Sequence, residues 1–109
     1  YVRRILAMAP GARITAHIHN TYGVGMANVY AAIDAGAIAV ETSFGGLGGC
    51  PFTKVAAGNV ATEDVVYLLH GMGIATGVDL ERLSDTGRWL ATLLGRESGS
   101  KVTRALAAE

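Results

Sequence analysis

Two hydrophobic periodicities alternate along this chain, and that alternation limits its fold more than any single residue does. "ARITAHIHN" has period two: Ile14, Ala16 and Ile18 share one face, and Thr15, His17 and His19 share the other. "GVGMANVYAAIDAGA" then turns helical, with Met26, Val29, Tyr30 and Ile33 at three- and four-residue steps and an end expected near Gly36. "AIAVETS" reads as a short apolar strand. A glycine-rich loop follows from Phe44 to Ala57, and "GNVA" is expected to form one more short strand. "TEDVVYLLHGMG" is a helix with Glu63 and Asp64 in its first turn, where negative charge is favourable. "DLERLSDTGRWLATLLGR" is a second amphipathic helix, capped by Asp79. One short helix ends the chain, and another opens it, "YVRRILAMA", stopped by Pro10–Gly11.

This order is the grammar of parallel βαβ units, an α/β fold whose chemistry sits at the carboxyl ends of its strands. His17 and His19 fall at one such end, Glu41 to Ser43 at the next and Asn59 at the third. Three units cannot close a barrel of eight strands, which takes about 250 residues. An open sheet and part of a barrel both fit.

Bulk properties exclude several functions. Lys+Arg and Asp+Glu both number nine, so the 109 residues are formally neutral and carry no basic stripe for nucleic acid. Half the residues are hydrophobic, as in a globular chain with a modest core. No apolar run nears the roughly 20 residues that span a bilayer, so no membrane partner is expected. The apolar stretch Ile5–Ala9 is too short for a signal peptide's core of about 7–15 residues. A lone cysteine, Cys50, forms no internal disulfide and suits a reducing compartment.

Two stretches carry chemistry. In "HIHNTYG" the i and i+2 spacing puts both imidazoles on one face of a strand, where they can share a divalent ion or simply end the strand in polar groups. Asn59, if brought alongside, adds a carbonyl oxygen, and mixed N/O ligation suits Mg²⁺ or Mn²⁺ with positions left for substrate. "GGLGGCPF" matches neither the phosphate-binding loop nor the dinucleotide fingerprint. It is either a turn or a lid that delivers the Cys50 thiol, with Gly46, Gly48 and Gly49 supplying backbone freedom. His70 is read as a dipole partner at a helix end, Trp89 as core or interface, Tyr22 as structural or site-facing, and Arg3 and Arg4 as a solvated face.

"HIHNTYGVGMANVYAAIDAG", "GGLGGCPF" and "GNVATEDVVYLLHGMGIATGVDL", in this order and spacing, resemble the carboxyl-terminal part of the hydroxymethylglutaryl-CoA lyase family. The resemblance runs from about Arg13 to Lys101. It implies the last three β/α units of a (β/α)8 TIM barrel plus C-terminal helices, with residues 1–109 a carboxyl-terminal fragment of one catalytic domain. It implies retro-Claisen cleavage of 3-hydroxy-3-methylglutaryl-CoA to acetyl-CoA and acetoacetate, as in leucine degradation and ketone-body metabolism. It also implies a Mg²⁺ or Mn²⁺ ion on His17, His19 and Asn59, proton transfer by Cys50, and help from His17 in deprotonating the hydroxyl. Glu63 matches a family acid near the site, the loop of Gly46, Gly48 and Gly49 flanks the substrate, and the full-length protein is expected to be a homodimer.

Two departures qualify this. Asn20 stands where the lyases commonly carry Asp and the related condensing synthases often Asn. The family's Asp–Arg motif, which gives an acidic ligand and a substrate arginine, has no counterpart here. The isolated chain is therefore expected to be inactive. A related acyl-CoA lyase or a Claisen-condensing synthase is the alternative within the fold, and a partial barrel that pairs with itself or a missing half is the alternative outside it. Bacterial cytoplasm and mitochondrial matrix are both open.

Overall fold

The computed structural model describes residues 1–49, 52 and 58–108. Helix α1 (Val2–Met8) leads to strand β1 (Thr15–His17), helix α2 (Gly25–Asp34) and strand β2 (Ala39–Glu41). A 3₁₀ turn at Phe44–Gly46 opens the glycine loop, and α3 (Thr62–Gly71), α4 (Leu80–Leu93) and α5 (Lys101–Leu106) complete the chain.

β1 and β2 pair in parallel with Thr15 opposite Ala39, Ala16 opposite Val40 and His17 opposite Glu41, so β1–α2–β2 is the expected βαβ unit. Alternation survives in β1, where Ala16 is half-buried and Thr15 and His17 face out. Both strands are shorter than the sequence pattern suggests.

The "GNVA" segment departs from expectation. It crosses the carboxyl ends of both strands, with one antiparallel bridge, His19 to Asn59, and one parallel bridge, Ser43 to Ala61. The Val60 amide donates to the Ile18 carbonyl at 3.1 Å, and its carbonyl accepts from the Ser43 amide at 3.2 Å. A regular third strand would lie beside β2 alone. Here the crossing buries Val60 completely against Val29 of α2 and Val65 of α3, the centre of the apolar core. Ile18, Met26, Ile33, Val40, Leu68 and Leu69 pack around that trio.

The helix ends follow local chemistry. Asp79 caps α4 by accepting from the Arg82 amide at 3.1 Å, and His70 in the last turn of α3 meets the Thr76 hydroxyl at 2.9 Å. Arg3 bridges to Asp34 on the surface at 2.8 Å. Trp89, read as core or interface, is 64% exposed, which removes the core reading.

Asp64 joins the last helix to the rest. One carboxylate oxygen accepts from the Ser100 hydroxyl at 2.7 Å and the Val102 amide at 3.0 Å, while Ser100 caps α5 through the Thr103 amide at 3.0 Å. Bonds from a charged acceptor are each worth about 1.5–3 kcal/mol. We predict that Asp64→Ala lowers the thermal midpoint of the gene's full-length product and speeds amide exchange in α5 first. Asp64→Asn should keep much of the protection, because its amide oxygen still accepts.

Candidate functional site

The carboxyl ends of β1 and β2 and the Gly58–Ala61 crossing meet at one place, and three sequence-selected residues meet there. His17 and His19 present their rings on one face, centroids 5.3 Å apart and planes 49° to each other. His19 also pairs through its backbone with Asn59. An isolated pair of imidazoles is not a site, but Asn59 adds something sharper. Its Nδ2 donates to the Leu47 carbonyl at 3.0 Å, and among the described residues its Oδ1 is buried with no hydrogen-bond partner. A buried acceptor left unsatisfied costs about 1–3 kcal/mol.

That oxygen and the two ring systems form a donor set of the kind a divalent ion takes: neutral nitrogens and a carbonyl oxygen. The residues fit the ion that the sequence implies. Among the described residues no cluster of three or more His, Cys, Asp and Glu gathers to hold a metal, so the set depends on Asn59.

Glu41 is a site residue whose role the sequence did not reveal. Its Oε2 lies 2.7 Å from His17 Nδ1. A carboxylate only accepts, so Nδ1 carries the hydrogen, and in the neutral ring Nε2 then keeps the lone pair. Carboxylates in this position orient a ligating imidazole and fix its tautomer. The signal was present in the parallel register, since Glu41 is the residue opposite His17.

Glu63 is placed differently. It is fully buried, and both of its oxygens accept from the Gly45 amide, at 3.1 and 3.0 Å. Gly87 of α4 lies against it so closely that a Cβ there would strike Oε1. This geometry gives the Glu63 carboxylate a structural task, holding the start of the glycine loop.

Of the loop glycines, Gly46 and Gly48 are held in place by their packing. Gly48 has φ +98°, and a Cβ there would come within 2.8 Å of Asn59 Nδ2. A Cβ on Gly46 would lie 3.0 Å from the Asn59 carbonyl. Gly49 is exposed, and Cys50 lies outside the described residues. Tyr22 is 88% exposed and turns away from the core. Asn20 braces α2, its Oδ1 accepting from the Gly25 amide at 2.9 Å. An Asp would accept that bond equally well.

A family model described as HMGL-like matches residues 1–90. The chain belongs to the HMGL-like family. Among curated relatives of this HMGL-like chain, mitochondrial hydroxymethylglutaryl-CoA lyase from Gallus gallus is 46% identical over 93% of the chain and 34% of its own length. A 3-hydroxy-3-isohexenylglutaryl-CoA/hydroxy-methylglutaryl-CoA lyase from Pseudomonas aeruginosa is 44% identical over 99% of the chain and 36% of its own length. The solved hydroxymethylglutaryl-CoA lyase from Pseudomonas aeruginosa superposes with a TM-score of 0.88 at 44% identity, covering 98% of this chain and 37% of that one. The HMGL-like chain thus spans about a third of the length of these relatives.

Removing the Glu63 carboxylate should leave the Gly45 amide buried without an acceptor, at a cost of about 1–3 kcal/mol. Glu63→Ala is expected to lower the thermal midpoint of the full-length product and to speed exchange of the Gly45 amide. Glu63→Gln, which retains an acceptor oxygen, should restore most of both. Equal losses in the two variants would mean that the hydrogen bonds to Gly45 are not what Glu63 contributes.

Proposed function

We propose that residues 1–109 are the carboxyl-terminal part of a (β/α)8-barrel lyase that cleaves 3-hydroxy-3-methylglutaryl-CoA to acetyl-CoA and acetoacetate. The observation that carries this reading is the buried Oδ1 of Asn59, unpartnered among the described residues, on the segment bridged to His19 of the His17–His19 pair. Membership of the family and 44–46% identity to lyases of that name support this choice of substrate. A coenzyme A thioester is then the partner, and relatives from a mitochondrion and a bacterium keep both expected compartments in play.

The cleavage has a fixed electron path. The tertiary hydroxyl of the substrate loses its proton, and the bond between C2 and C3 breaks. Its electron pair passes into the thioester as an enolate, C3 becomes the ketone of acetoacetate, and the enolate carbon takes a proton to give acetyl-CoA. A divalent ion, Mg²⁺ or Mn²⁺, bound by His17, His19 and Asn59 would acidify the hydroxyl and orient the substrate oxygens.

His17 was a candidate for two roles, ligand and base. The Glu41 contact occupies Nδ1 and leaves one nitrogen, Nε2, so the two roles compete for it. We assign it the ligand role, with Glu41 as its positioning residue. Cys50 is the group we assign to proton delivery, on its place in the "GGLGGCPF" stretch. Glu63 and the loop glycines support the loop without touching substrate. The isolated chain supplies no acidic ligand from the family's Asp–Arg motif and should be inactive alone. The full-length product is proposed to be a homodimer.

Acetoacetate release from 3-hydroxy-3-methylglutaryl-CoA with Mg²⁺ or Mn²⁺ tests the reading. The full-length product should cleave the thioester, the 109-residue chain should not, and Cys50→Ala should be slower by about 100-fold or more. A full-length product that ignores this thioester but cleaves the isohexenyl analogue would move the substrate; one that cleaves neither would end the lyase reading.

A further inference from the structure

We propose that Asn59 couples the metal centre to the glycine loop, its one amide group serving as ligand on one side and loop anchor on the other. The inference rests on the ligand role proposed above and adds to it a mechanical link.

A carboxamide is planar, with its oxygen and nitrogen fixed about 120° apart on Cγ. Once Nδ2 donates to the Leu47 carbonyl at 3.0 Å, the direction of Oδ1 is set as well. Turning the amide over would put oxygen against the Leu47 carbonyl oxygen, two acceptors face to face, so the chemistry enforces this orientation. The loop is shaped to the same side chain. Gly48 and Gly46 lie so close to Asn59 that a Cβ on either would press on its Nδ2 or its carbonyl.

The remaining loop contacts make the link stiff. The Gly45 amide is held by Glu63, the Gly46 amide by the Ser43 carbonyl at 3.1 Å, and the Leu47 amide by the Phe44 carbonyl at 2.9 Å. Ser43 in turn bonds both sides of the crossing segment that carries Asn59. These bonds tie residues 43–47 to residues 59–63 at several points.

A cation on Oδ1 satisfies an acceptor that is buried with no partner among the described residues. It also withdraws charge from the amide, which makes Nδ2–H a stronger donor to Leu47. Ion binding thus tightens the loop anchor, and by linkage an anchored loop raises ion affinity by the same factor. A ligand that was only a ligand would have no such second effect.

The test uses the full-length product, with Mn²⁺ as probe. Direct Mn²⁺ binding is followed by electron paramagnetic resonance, and amide exchange is followed in a peptide covering Gly45–Leu47. In the wild type, Mn²⁺ should slow exchange in that peptide by about fivefold or more. Asn59→Asp keeps an oxygen ligand but loses the donor: it should bind Mn²⁺ within about tenfold of wild type while Mn²⁺ no longer protects the loop. Asn59→Ala should lose both binding and protection. If Asn59→Asp shows wild-type protection by Mn²⁺, the coupling is wrong and the ligand role stands. If Asn59→Ala binds Mn²⁺ as wild type does, the ligand role fails and the coupling with it. Should either variant not fold, the wild type alone decides, because equal exchange with and without Mn²⁺ overturns the coupling.

Discussion

The pair of hydrogen bonds made by Val60 organises this molecule. Its amide reaches Ile18 at the end of β1, and its carbonyl reaches Ser43 just past β2. One residue thereby ties two strand ends together from above while its side chain fills the core beneath, with Val29 and Val65. Burying a valine contributes on the order of 1.5–3 kcal/mol, and the two backbone bonds keep its polar groups from being stranded in that apolar setting. Everything functional hangs on the flanking positions: Asn59 precedes Val60, His19 faces Asn59, and Glu63 starts the helix that follows.

Much of this was legible in the order of periodicities. The βαβ unit, the helix over Thr62–Gly71 and the Asp79 cap follow from spacing and capping chemistry, which are local. The gathering of His17 and His19 on one face at a strand end was legible too, whereas Asn59, expected at the end of a third strand, lies on the crossing segment instead. What stayed hidden was non-local. Strand pairing sets His17 opposite Glu41, and one residue of slip would have removed that partner. The crossing of Gly58–Ala61 depends on how two strand ends splay, which no short window of sequence records. The core reading of Trp89 fails for a related reason: its leucine neighbours on α4 suggest a buried face, yet α4 turns that position away from this chain's core.

Glu63 and the glycines show how one motif invites two physical readings. An acid beside a site suggests proton transfer, and a run of glycines suggests freedom. Packing gives both a different task. A fully buried carboxylate needs donors; the Gly45 amide is one, and the carboxylate fits beside it because Gly87 lacks a side chain that would strike Oε1. Gly48, at φ +98° and pressed on Asn59, is required by close approach. Glycine here lets backbone lie against a polar side chain, which restricts the chain more than it frees it.

The charged and polar contacts then sort by what they can accomplish. His17 and Glu41 have side chains 56% and 62% exposed, where an ion pair contributes little, about 0–1 kcal/mol, and is screened by salt. Such a pair is a poor source of stability and a good source of orientation, since it selects the ring nitrogen left for other work. The contacts of Glu63 and Asn59 are the reverse: shielded from water, they hold backbone that would otherwise be unsatisfied. Position in the fold therefore assigns the roles. The buried anchors hold the loop, the exposed pair aims one imidazole, and between them lies an amide oxygen with no partner among the described residues.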